Sequence, residues 1–329
     1  MRPRNKRLFP GGFTLIETLV AAVLLAVVVF LLASIGGRTT SIWKRADSQV
    51  NSFQSARFAF ERMTRSIGQA TLNPYWDYLD TSSNRRTPAN AASFTPSAYG
   101  RCSDQHFTIT NTPSPYACFF QAPLGHASGT HLSPLGDLLN AVGYFVEFND
   151  DADAETLSPR PRSLLSGSRW RYRLMELLQP SEDLGVYDSA DGAWIGQALG
   201  AGRQARPIAE NVILLIFRAL DESGNSLPAG KETFVYDSRD RSSSATLNQL
   251  PPQVEIILVV IDEASAARLA ATHGTTPPPL VKTQYFSRPA ELDDDIEKLR
   301  ADLVENPARP EFRILRNTVR LESAKWSED

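Results

Sequence analysis

The sequence predicts an α+β fold: a long N-terminal helix, membrane-spanning in its first half, packed on an antiparallel β-sheet head. Three observations carry this. An apolar run from Phe13 to Ile35 holds a single charge, Glu17. An apolar stripe at three- and four-residue steps continues to Ala70, just before Asn73-Pro74. Beyond that stop, short apolar runs separated by turn-forming residues recur to the end of the chain.

The first twelve residues carry Arg2, Arg4, Lys6 and Arg7 and close on Gly11-Gly12. The apolar run that follows is as long as a helix that crosses the ~30 Å hydrocarbon core. Its basic flank predicts a cytoplasmic N-terminus and an exported bulk. A cleaved secretory signal would have a shorter apolar core and a small-residue site behind it. A plain signal anchor fits the length but leaves Glu17 unexplained, because an intramembrane carboxylate costs roughly 3 kcal/mol even on a lenient insertion scale.

After Gly36-Gly37 the pattern turns amphipathic. Ile42, Ala46, Val50, Phe53, Ala56, Phe60, Met63, Ile67 and Ala70 form one face, and Arg45, Asp47, Arg57, Glu61 and Arg65 lie off it. The stripe predicts packing against the head, with a coiled-coil seam as the other reading; the glycine pair is a place for a bend or a break. The Asn73-Pro74 pair ends the helix. The resulting division is a leader over 1–12, a transmembrane helix over 13–35, its amphipathic continuation over 36–72 and an exported head over 73–329.

In the head, residues 73–135 are rich in Pro, Ser, Thr and Asn and read as irregular, with short strands at Phe107–Thr110 and Ala117–Gln121. Strands are expected at Val142–Phe148, Trp170–Leu177, Val212–Leu220, Thr233–Tyr236, Val254–Ile261, Val281–Phe286 and Phe312–Leu321. The alternation Arg169-Trp170-Arg171-Tyr172-Arg173-Leu174 is that of a half-buried strand. Ile256–Ile261 is apolar throughout, which places it centrally. Helices are expected at Glu263–Thr272 and Ala290–Glu305.

The composition narrows the function. With 34 basic and 37 acidic residues and a net charge of −3, the 329-residue chain is no strongly basic nucleic-acid binder. The leader alone carries about +4, so the remainder is near −7. Two cysteines exclude a disulfide-dense scaffold and a four-cysteine zinc site. There is no nucleophile elbow, no H-E-x-x-H among His106, His126, His131 and His273, and no phosphate-binding glycine loop. No catalytic residue, cofactor or resident metal is therefore expected, and the chain is not expected to be an enzyme. Asp150-Asp151-x-Asp153-x-Glu155 and Asp293-Asp294-Asp295 are oxygen-rich runs of a kind that binds Ca²⁺, but the first lacks the glycine and final glutamate of an EF-hand loop, and the second suits the first turn of a helix. If the head is exported, an oxidising compartment favours a Cys102–Cys118 disulfide, which would add about 3 kcal/mol in the chain-entropy model; two unpaired thiols are the alternative.

Gly12-Phe13-Thr14-Leu15-Ile16-Glu17 behind a basic leader resembles the type IV prepilin signal. The resemblance implies cleavage by prepilin peptidase between Gly12 and Phe13, N-methylation of Phe13, and pairing of Glu17 with the Phe13 amine of a neighbouring subunit. Asn140–Phe148, Arg171–Glu182, Ala209–Ile216, Asn248–Leu269 and Arg313–Trp326 resemble the family called Verru_Chthon cassette protein C, whose members carry a prepilin-type N-terminus. More distantly, the plan is similar to the J-type minor pseudopilins of type II secretion. These resemblances imply a pilin-like fold and a minor pilin or pseudopilin of the bacterial inner membrane, its head periplasmic, its partners being prepilin peptidase, other pilin subunits, an assembly platform and membrane lipid. A head of this bulk suits a tip or priming subunit. The alternative is a signal-anchored periplasmic protein with an unrecognised binding or enzymatic site.

Overall fold

The strand-forming segments sort by how many of their faces are apolar. Val212–Leu220 and Gln253–Ile261 are apolar on both faces and need cover on both sides. Phe312–Arg320 is mostly exposed and lies at an edge. The computed structural model describes residues 14–72, 76–82, 91–101, 107–111, 116–132, 134–150, 169–187, 193–200, 205–240, 242–243 and 246–325. The chain divides into two units, Met1–Ser48 and Gln49–Asp329.

The elements are helices α1 (Leu15–Gly68), α2 (Ala193–Leu199), α3 (Glu263–His273) and α4 (Leu292–Glu305), and eleven strands. The strands are β1 (Trp76–Leu79), β2 (Ala98–Arg101), β3 (Phe107–Thr110), β4 (Ala117–Pro123), β5 (Leu139–Asn149), β6 (Arg171–Gln179), β7 (Ala205–Glu210), β8 (Val212–Leu220), β9 (Tyr236–Asp237), β10 (Gln253–Ile261) and β11 (Phe312–Arg320). They form three antiparallel sheets. One has the order β7-β6-β5-β4-β3-β9, one β11-β10-β8, and β1-β2 stands apart as a pair.

This corrects the expected plan of one long membrane-spanning helix lying on a single antiparallel sheet. Among the described residues of the Gln49–Asp329 unit strand outweighs helix, and the strands divide between three sheets. Among the described residues no helix is long and apolar enough to cross a membrane. The sheets divide because β8 and β10 are apolar on both faces. A single sheet with one dry face would leave half of those side chains in water.

Three apolar clusters fill the Gln49–Asp329 unit. The largest lies between the two big sheets and takes Phe53, Ala56, Phe60, Met63 and Ile67 of α1, Phe120, Val142 and Leu174 of the six-stranded sheet, and Leu215, Phe217, Ile256 and Leu258 of the three-stranded one. The second lies on the other face of the three-stranded sheet, where Ile216, Ile257 and Val259 meet Leu269 of α3 and Ile296, Leu299 and Leu303 of α4. The third covers the outer face of the six-stranded sheet, where Phe119, Phe145 and Leu177 pack on Trp194 of α2. Gly143 is opposite Phe119, and a Cβ there would lie 2.4 Å from the Phe119 ring, so only glycine lets that ring cross the strand.

The β8–β10 register shifts between Val259 and Val260, whose partners are Leu214 and Val212. Ile213 is the extra residue of this bulge. It puts both Ile213 and Leu214 into the α3/α4 cluster, while Val212 and Leu215 face the central one.

Several expected elements differ. Val281–Phe286 is no strand: the Tyr285 amide donates to the Lys282 carbonyl, and Phe286 has φ 59°. Leu280 and Phe286 act as plugs for the α3/α4 cluster instead. The expected strand at Thr233–Tyr236 shrinks to Tyr236–Asp237, paired with β3. Strands β1, β2 and β7 and helix α2 had no expectation.

Candidate functional site

Helix α1 begins with a reciprocal cap. The Glu17 amide donates to Thr14 Oγ1 (3.3 Å), and the Thr14 amide donates to Glu17 Oε2 (3.5 Å). This is the S/T-x-x-E capping box, and it satisfies two N–H groups that a helix start otherwise leaves orphaned. Glu17 therefore has a local structural task besides the one expected of it. The residues that follow are apolar around the whole circumference, and the large ones from Leu15 (83% exposed) to Phe30 (73% exposed) all lie open. Gly12 and Phe13, the expected cleavage and methylation residues, lie outside the described residues.

The far end of α1 is fastened to the six-stranded sheet by a buried carboxylate. Glu176 of β6 is 1% exposed. It accepts two bonds from Arg62 of α1 (2.7 and 3.0 Å), two from Arg206 of β7 (3.0 and 2.8 Å) and one from the Tyr144 hydroxyl (3.1 Å). Burial opposes the charge of Arg62, but Glu176 outweighs it and holds the guanidinium above its ordinary pKa. Burial, and then the charge of Glu176, push Tyr144 up.

A second polar cluster sits where β6 begins. Arg171 is 5% exposed, and its Nη2 donates to Glu263 Oε1 at 2.6 Å. Asn211, just ahead of β8, donates its Nδ2 to Glu263 Oε2 at 2.8 Å, and Arg169 Nη1 lies 3.8 Å from Oε1. Two guanidinium groups thus share one carboxylate. Arg171 Nε and Nη1 and Asn211 Oδ1 are buried and have no hydrogen-bond partner among the described residues. Arg171 and Asn211 line a cavity of about 20 Å³, walled by Phe148, Trp170, Tyr172 and Leu269. A cleft of about 510 Å³ shares Trp170, Arg171 and Ala270 with it. The Phe148 ring stands 5.6 Å from that of Trp170 and 4.9 Å from that of Tyr172. The Tyr172 hydroxyl donates to the Pro278 carbonyl (2.9 Å), and burial pushes its pKa up to about 12. In the sequence Arg171 is one polar position of an alternating strand. Its burial was not readable there, because it depends on Glu263, 92 residues away.

The other expected residues are scattered. Cys118 is a wholly buried free thiol in β4, its pKa raised by burial; Cys102, its expected disulfide partner, lies outside the described residues. Of the acidic runs, Asp295 accepts the Phe286 amide and pairs with Lys298 (both 2.8 Å), and Asp293 pairs with Arg316. Asp151, Asp153 and Glu155 lie outside the described residues. Among the described residues no group of three or more His, Cys, Asp or Glu side chains is placed to hold a metal ion. His126, His131 and His273 lie apart in loops and at the end of α3, and His106 is outside the described residues.

No family model matches the chain, and no curated protein matches it at a significant level.

Proposed function

We propose that the chain is a prepilin-type assembly subunit, a substrate of prepilin peptidase rather than an enzyme. The peptidase cuts after Gly12, and Phe13 becomes the methylated N-terminus. The subunit is held at the bacterial inner membrane with its N-terminus on the cytoplasmic side and its head in the periplasm. It joins a pilus-like or secretion-like filament, as a tip or priming subunit, through contacts with like subunits, lipid and the assembly platform. The observation that carries this reading is the helix start. A capped helix whose apolar side chains from Leu15 to Phe30 are all exposed needs apolar cover from outside itself. Each such side chain gains about 1.5–3 kcal/mol when covered. Cover by the same segment of neighbouring subunits accounts for apolar residues on every side, which a one-sided contact does not. Cleavage would also place the new ammonium of Phe13 one residue ahead of the Thr14–Glu17 cap, so that a neighbour's carboxylate can neutralise it.

N-terminal sequencing of the protein from its host membrane tests the reading. A start at methylated Phe13 is expected, and an intact Met1 overturns it. In Glu17→Ala, insertion and processing are expected to survive while co-purification with other subunits is lost. Unchanged assembly would remove the pairing role and leave Glu17 as a cap alone.

A further inference from the structure

We propose that the open edge of β11 is a docking site for an extended segment of another protein, acidic at both ends of the contact and apolar in its middle. The segment adds to the three-stranded sheet as a further strand. This docking does not depend on the assembly reading above.

Two hydrogen bonds fix which way the backbone of β11 points. The Asp262 amide donates to the Glu311 carbonyl (2.9 Å), and the Leu321 amide donates to the Pro252 carbonyl (3.1 Å). Pairing alternates along an antiparallel ladder, so the odd-numbered residues between these bonds turn their N–H and C=O groups toward β10. Those of Phe312, Ile314, Arg316 and Thr318 turn away, and none has a hydrogen-bond partner among the described residues. The Arg320 carbonyl lies beside Gly68 and ends the row. The edges of the six-stranded sheet are blunted, β7 by Pro207 and a bulge and β9 by its length of two residues. β8 is buried. β11 pairs with β10 over all nine of its residues, with no proline, glycine or bulge. An open edge of this kind takes up a strand through its main chain.

The side chains choose the strand. Arg313 lies over the Phe53 ring at 4.7 Å, and Arg320 is exposed. Neither has a carboxylate partner among the described residues, whereas Arg316 is paired with Glu255 and Asp293. Two free cations near the ends of the row call for a carboxylate at each end of the incoming strand. Between them, Ile314 and Leu315 are half-buried at the rims of the α3/α4 cluster and the central cluster, on opposite faces of the sheet. Apolar residues beside them would extend both clusters. A second copy of β11 is the wrong occupant: the strand holds three arginines and no acidic residue, and like charges across a pair are unfavourable.

Fluorescence anisotropy with the purified full chain in non-ionic detergent tests this. The probe is a labelled peptide of valine and threonine, as long as Arg313–Arg320, capped at both termini and with a glutamate at each end. Saturable binding is expected, about tenfold weaker when both glutamates are replaced by lysine, and weaker at high salt. Thr318→Pro removes an outward N–H and no bond to β10. It is expected to weaken binding about tenfold while leaving the unfolding midpoint in place. Arg313→Glu is expected to weaken binding of the diglutamate peptide and to favour one of the two peptides with a single glutamate replaced by lysine. That exchange reads the charge pairing even where the proline variant fails to fold. The proposal fails if the diglutamate peptide does not bind, if the dilysine peptide binds as well, or if a folded Thr318→Pro chain binds unchanged. It also fails if sedimentation shows a dimer that Thr318→Pro dissociates, which makes a second copy the occupant.

Discussion

The two described stretches of α1 differ in what covers them. From Leu15 to Phe30 the helix is apolar on every side, and its large side chains are half exposed or more. From Phe53 to Ile67 it is apolar on one stripe only, and Phe53, Ala56, Phe60, Met63 and Ile67 are all buried. The more hydrophobic stretch is thus the exposed one. A one-sided stripe can be satisfied by a sheet of the same chain, whereas an all-round apolar surface has to be surrounded. The amount of apolar side chain predicts that cover is needed; its distribution around the helix says whether the chain itself can supply it.

Two phenylalanines test that contrast most directly. Phe60→Ala is expected to lower the stability of the head by about 3–5 kcal/mol, and Phe30→Ala to leave it within about 0.5 kcal/mol. Urea unfolding followed through the head signal measures both. Equal losses would mean that the first stretch is also packed on the head, and the contrast would collapse.

The ionic fastening of the second stretch comes next. Arg62→Ala combined with Arg206→Ala leaves Glu176 buried with the Tyr144 hydroxyl as its remaining partner among the bonds described above, and is expected to cost about 3 kcal/mol. Both arginines are nearly half exposed, so the low end of the range for broken buried pairs applies. Adding Glu176→Gln should restore much of the loss. If it restores none, packing of the arginine stems rather than charge fastens α1.

The smallest effect is expected far from α1. The Lys282 ammonium, and after it the Tyr285 hydroxyl, hold the Asp302 carboxyl below its ordinary pKa. A lowered folded pKa gives stability that is present above the unfolded value of about 3.9 and lost as pH falls through the folded one. Asp302→Asn should therefore flatten the loss of stability below about pH 4 and change little at neutral pH. An acid limb identical to that of the parent chain would show this exposed pair to be inert.

Much of the head was legible because its strands are long and their apolar pattern is strong. Val212–Leu220 was expected with the bounds it has, and β10 and β11 differ by a residue. β7 escaped notice because Pro207 interrupts its short sequence. As an edge strand bulged opposite Leu174 and Met175 it tolerates a proline that a central strand would not. Val281–Phe286 misled for the opposite reason: its apolar residues are plugs for a cluster, and composition alone does not separate a plug from a pleat. The cap at Thr14 and Glu17 is a local motif and stood in the sequence unread. The Arg171 cleft was not legible at all, because it joins β6, the turn before β8 and the first turn of α3, and local spacing says nothing about such meetings.

The bulge at Ile213 has a further consequence for how this head can vary in length. It acts as a phase shifter. Upstream of it, Asn211 turns its amide toward Glu263; downstream, Leu215 and Phe217 keep their places in the central cluster. Deleting one residue there would leave the downstream pairing intact and turn Asn211 to the opposite face. Insertions and deletions in β8 are therefore not neutral bookkeeping of strand length: a single-residue change at this point would separate the inheritance of the fold from the inheritance of the cleft.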